Sequence, residues 1–170
     1  MPEFPRDTFA DVLNANAEFT HNFTWSGLTG RAGRGLAIVT CMDSRIDPLR
    51  ALGMSAGDVK ILRNAGARVT EDVLRTLVLA SFLLGVERIL VMPHTDCRMA
   101  SATEDQIHQV ILDDFGVDTR SLEFRTVSDQ EAALAQDVAR IRAHPLLPDG
   151  IAVAGAIYDV RTGTLLPLDV

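Results

Sequence analysis

Four short, largely apolar runs constrain this chain more than any other feature. They are LAIVT (Leu36–Thr40), VKIL (Val59–Leu62), RILVM (Arg88–Met92) and a run within GIAVAGAIYDV (Gly150–Val160). A strand with one wet face alternates apolar and polar residues. Near-continuous apolar runs of this length instead mark strands covered on both faces. Helical patterns separate the runs, so the connections are crossovers and the strands run mainly parallel. The expected fold is α/β, with a central, mainly parallel four-stranded sheet flanked by helices. TLLPLDV follows a turn around Thr162-Gly163 and pairs back as a fifth, edge strand, where Pro167 is tolerated.

The helices have readable ends. Residues 8–24 are amphipathic, with Asp7 as the cap. Thr70 caps a helix to about Leu84, with Glu71 and Asp72 in its first turn and Gly85 as its stop. Its apolar residues, from Val73 to Leu84, go most of the way round. In so small a domain this predicts a subunit interface. Thr103–Gln106 forms a capping box before a helix carrying Ile107, Val110, Ile111 and Phe115. Ser128–Glu131 reads as another, before a helix with Leu134, Val138 and Ile141 that ends by Pro145.

At 170 residues the chain suits one domain over residues 1–170, including a helical arm at about 7–24. Its net charge of −7 argues against nucleic acid and anionic membranes as partners. The N-terminus has no basic region followed by an apolar run, and Leu77–Val86 is too short to span a bilayer. A cytoplasmic protein is expected. In that compartment two cysteines, Cys41 and Cys97, point to metal, catalysis or burial before a disulfide. The four glycines of WSGLTGRAGRG precede a strand and lack Gly-Lys-Ser/Thr, so they read as a connection and not as a phosphate cradle.

Ligands of parallel sheets bind beyond the carboxyl ends of the strands. Three consecutive strands deliver polar residues there: Cys41 after the first, Arg63-Asn64-Ala65-Gly66 after the second, His94 and Cys97 after the third. Each residue alone has a bland reading, such as a small buried cysteine or a core histidine. Together on one rim they form a Cys…His-x-x-Cys set, which suits zinc with a fourth position open. A zinc ion so held lowers the pKa of bound water to about 7. Asp43 either accepts a hydrogen bond from that water or fills the fourth position itself. Arg45, paired with the carboxylate, decides which. A cysteine phosphatase loop needs a longer spacer than Cys41 to Arg45 offers. His21, His108 and His144 have no clustered partners and read as surface or cap residues.

CMDSR (Cys41–Arg45), RNAGARV (Arg63–Val69) and HTDC (His94–Cys97) resemble, in order and separation, the three signature segments of the β-class carbonic anhydrases. The resemblance covers about residues 8–168 and extends to the compact size of the smaller members. It implies one Zn2+ per chain bound by Cys41, His94 and Cys97, with Asp43 as a fourth ligand in the closed state. It implies catalysis supported by the Asp43–Arg45 dyad, with zinc-bound hydroxide attacking carbon dioxide to give bicarbonate and a proton. It also implies a homodimer or dimer of dimers, with the N-terminal helix reaching across the partner. One departure stands out: Arg98 occupies the position after the second cysteine where the family usually has glycine. Arg98 keeps two alternatives open. One is a carbon disulfide or carbonyl sulfide hydrolase with a narrowed entrance; the other is a zinc-binding member without catalysis, acting as a sensor or assembly partner.

Overall fold

The computed structural model describes residues 3–170; Met1 and Pro2, which the predicted domain includes, lie outside the described residues. The strands are β1 (Leu36–Cys41), β2 (Val59–Asn64), β3 (Arg88–Met92), β4 (Ala152–Tyr158) and β5 (Leu165–Leu168). They form one sheet in the order β2-β1-β3-β4-β5. The first four are parallel, and β5 lies antiparallel on β4, with Pro167 opposite Ala156 on the free edge. The expected architecture therefore holds.

Two apolar layers cover the sheet. On one face Ala37, Val39, Ile89, Val91, Val153 and Ile157 meet α3 (Glu71–Leu83) and α6 (Gln130–Arg142). On the other, Leu36, Ile38 and Met92 pack with Ile46, Met99 and both cysteines. All six residues of β1 are buried, as its unbroken apolar run predicts for a central strand. Burying a side chain such as Leu77 contributes about 1.5–3 kcal/mol; Leu77 is fully enclosed in the first layer.

The remaining helices are α1 (Ala10–His21), α2 (Pro48–Ala51), α4 (Arg98–Ser101) and α5 (Glu104–Phe115). The Thr103/Gln106 capping box on α5 is formed in both directions. Thr70 caps α3 as expected, accepting from the Val73 N–H.

Several boundaries differ from expectation. α1 starts at Ala10, and Phe9, not Asp7, is its N-cap, without a side-chain cap bond. A tight turn places Phe4 against Phe9, with ring centroids 5.5 Å apart, and uses the residues that would have formed the first turn. α1 stops at His21 because Phe19, Phe23 and Trp25 fold onto one another, turning the chain. α6 is capped by Asp129, which accepts from Ala132 N–H at 3.0 Å, and not by Ser128. A carboxylate one residue later serves the positive helix end better than a hydroxyl. Strands β1 and β2 also run one and two residues further than their apolar runs, because their ladder continues through Thr40–Arg63 and Cys41–Asn64.

The helix after Thr70 buries Val73, Leu74, Leu77 and Ala80, whereas Leu79, Phe82 and Leu83 on its other side are exposed. No residue of α1 is buried, although it carries Val12, Leu13 and Phe19. Both helices thus present exposed apolar side chains, Val12 and Leu13 on one and Leu79, Phe82 and Leu83 on the other. Among the described residues, no helix is long and apolar enough to cross a membrane.

Candidate metal centre

Parallel pairing sets the site. Because β1 lies between β2 and β3, the carboxyl ends of all three strands arrive side by side. Cys41 is the last residue of β1. His94 lies two residues past β3, held by a bridge to Tyr158, and Cys97 is the N-cap of α4. Their ligand atoms all lie within 4.8 Å of one another, and all three residues are buried.

The chemistry of the set fits a cation. His94 Nδ1 lies 2.8 Å from the Thr95 carbonyl, which fixes the N–H there. That leaves the Nε2 lone pair beside the two sulfurs, and among the described residues this buried atom has no hydrogen-bond partner. Such an orphan is costly unless something else satisfies it. Cys41 is pushed well below the ordinary thiol range, first by a hydrogen bond from Cys97 and then by His94 and the Gly66 N–H, against the opposing effect of burial. Cys97 is pushed up, by that same bond and by burial. Two cysteine sulfurs and an imidazole nitrogen within 4.8 Å of one another form a donor set that suits Zn2+. Burial works against a charged His94, but the adjacent Cys41 thiolate outweighs it and raises the imidazole.

Asp43 and Arg45 stand at the mouth. Arg45 grips Asp43 in a fork, Nε to Oδ1 at 2.9 Å and Nη2 to Oδ2 at 2.7 Å. The guanidinium holds the Asp43 carboxyl well below the usual carboxylate range. Asp43 Oδ2 is 3.7 Å from His94 Nε2, beside the three-residue cluster and outside it. The carboxylate is thus turned to Arg45, the arrangement expected when the fourth position is left open.

Arg63 and Gly66 stand on the rim as expected, whereas the roles of Asp96 and Gln130 in this frame were not foreseen from the sequence. Arg45 also donates to Asp96, from Nη1 to Oδ2 at 2.8 Å and from Nη2 to the carbonyl at 3.0 Å. Asp96 is in the left-handed region, φ 55°, which aims it back at Arg45. Arg63 donates to the carbonyls of Cys41 and Asp43 at 2.9 and 2.6 Å, bracing the loop from β2. Gly66 N–H reaches Cys41 Sγ at 3.4 Å, and Gln130 Nε2 reaches the His94 carbonyl at 2.8 Å. Asp96 and Arg63 lie inside the quoted motifs and were legible as candidates; Gln130 has no local signal.

Arg98 settles simply. It is the first residue of α4, is exposed, and makes no ion pair among the described residues.

Residues 36–165 match the carbonic anhydrase family, 130 of the 170 residues. The chain belongs to the β-carbonic anhydrase family. It is 35% identical over 156 residues to β-carbonic anhydrase 1 of Mycobacterium tuberculosis, covering 91% of this chain and 94% of that one. A carbonic anhydrase structure from Streptococcus mutans superposes with a TM-score of 0.84 at 37% identity, covering 99% of this chain and all of the other. A carbon disulfide hydrolase of Acidithiobacillus thiooxidans is 32% identical, covering 79% and 77%. Membership places the chain among zinc enzymes of the lyase class.

Proposed function

We propose that Cys41, His94 and Cys97 hold the catalytic zinc and that the Asp43–Arg45 pair governs access to its fourth position. The observation that carries this is the orphaned His94 Nε2, buried within 4.8 Å of two cysteine sulfurs. A zinc ion held there would supply Lewis acidity toward a small polar ligand. The chain's own groups then do three things. Thr95 fixes the His94 tautomer. Arg45, held by Asp96 as well, keeps the Asp43 carboxylate ionised and turned aside. Asp43, with an oxygen 3.7 Å from Nε2, would accept a hydrogen bond from a donor held beside the cluster.

Carbon dioxide is the substrate that the family supports, and Arg98 is exposed and not part of the buried three-residue cluster. Carbon disulfide remains the second reading because hydrolases of that gas are among the relatives; the chain covers 77% of one of them, against 94% of the mycobacterial carbonic anhydrase. The exposed apolar faces of α1 and α3 support a homodimer. Two unpaired cysteines and a net charge of −7 suit the cytoplasm.

Stopped-flow hydration of carbon dioxide by the zinc-loaded protein is the test, with carbon disulfide and carbonyl sulfide assayed in parallel. A rate no better than that of Cys41→Ala would overturn the proposal. Faster turnover of carbon disulfide than of carbon dioxide would transfer it to the second reading.

A further inference from the structure

Asp137 is a carboxylate with 5% exposure that none of the roles above uses. It lies on α6, seven residues after Gln130, so the two share a face of the helix. Gln130 holds the His94 carbonyl. Asp137 accepts from Arg68 Nε at 2.7 Å, with Nη2 at 3.5 Å from its other oxygen.

Arg68 ends a tight turn that begins at Asn64. The Asn64 amide closes it, Nδ2 donating to the Arg68 carbonyl at 2.7 Å and Oδ1 accepting from the Arg68 N–H at 2.9 Å. Inside the turn two residues have positive φ, Gly66 at 80° and Ala67 at 59°. An alanine rarely adopts that region, and such backbone persists where its surroundings over-determine it. The product of the turn is one contact: the Gly66 N–H aimed at Cys41 Sγ. Gly66, Arg68, Cys97, Gln130 and Asp137 all line one small cavity behind the metal cluster.

We infer that Asp137 is a positioning residue for the metal ligand Cys41, acting through Arg68 and the Asn64-closed turn, so that α6 braces both Cys41 and His94. The inference rests on the zinc site proposed above. A buried ion pair that merely held α6 to the sheet would affect stability alone. A pair that sets the Gly66 amide affects the geometry of the thiolate and the grip on the metal.

Two readouts separate these roles in the purified full-length protein. One is zinc affinity by chelator competition. The other is the near-ultraviolet thiolate-to-metal band of the Co2+-substituted protein. Asp137→Ala is expected to weaken zinc binding by about tenfold and to shift the cobalt band. Asp137→Asn keeps an oxygen acceptor for Arg68 and recovers most of both. Val138→Ala disturbs the same helix without touching Arg68, and it lowers the melting temperature while leaving affinity and spectrum unchanged. An Asp137→Ala protein with changes no larger than those of Val138→Ala overturns the inference. Should Asp137→Ala fail to fold, Asn64→Ala opens the turn with the Arg68–Asp137 pair in place and is read the same way. A wild-type protein without a cobalt–thiolate band would overturn the metal site itself, whereas a normal band insensitive to these variants overturns only the positioning role.

Discussion

Gly66→Ala tests how tightly backbone geometry and metal site are joined. Gly66 has φ 80°, and an added Cβ would lie 3.1 Å from Met99 Cβ and 3.2 Å from Met99 Cγ. An L residue in the left-handed region costs about 1–2 kcal/mol. Overpacking against the fixed base of a side chain adds about 1–3 kcal/mol. The stiffer unfolded chain returns about 0.4–1 kcal/mol. The net loss centres on about 3 kcal/mol, which for a chain of this size lowers the melting temperature by about 6–12 °C. Met99 is two residues beyond Cys97, so relief of the clash moves one ligand while the shifted Gly66 amide releases another. Thermal unfolding of the metal-free protein reads the first effect, and chelator competition for zinc reads the second. A Gly66→Ala protein that melts within about 2 °C of wild type, a shift worth less than about 1 kcal/mol, would refute this reasoning.

Three further outcomes follow from the same geometry. Arg45→Ala frees Asp43 to close the fourth position, so kcat/KM for carbon dioxide falls by about 10–100-fold while zinc stays near one per chain; loss of zinc by metal analysis would refute the gate. Arg98→Gly leaves kcat/KM within about twofold, since the side chain is exposed and unpaired; a larger gain in the hydration assay would mean that Arg98 obstructs the site. Glu104 accepts the Phe124 and Thr126 N–H groups at 2.9 and 3.0 Å, which lowers its pKa. A lowered carboxyl pKa stabilises the fold above the ordinary glutamate value of about 4.3 and stops doing so as pH falls through the folded value. The stability gap between metal-free wild type and Glu104→Gln in urea unfolding will therefore be full at pH 7 and shrink as pH falls below the ordinary glutamate value, whereas a gap that does not shrink on acidification would refute the assignment.

Much was decided by residues alone. The short, largely apolar run Leu36–Thr40 was as expected of a strand covered on both faces, and crossovers of helical pattern implied that its neighbours are mainly parallel. Once the strands are parallel, their carboxyl ends share a rim, so Cys41, His94 and Cys97 were legible as a set before any coordinate was known. Local chemistry also marked the caps at Thr70 and Thr103, because a capping side chain and its amide lie within a few residues. Where α1 ends was not legible. Aromatic side chains of Phe4, Phe19, Phe23 and Trp25 chose turns over five further helical residues, a balance of packing that no pattern of spacing records.

Only tertiary structure decided what surrounds the ligands. The His94 tautomer, the second grip of Asp96 on Arg45, and the bracing of His94 and Arg68 by α6 all join residues whose pairing depends on distance in space. Arg68 and Asp137 are 69 positions apart, and nothing local to either names the other. The donor types for a metal are written in the sequence because they are chemical identities. Their orientation is not, because it is set by hydrogen bonds across elements that meet only when the sheet and α6 have packed.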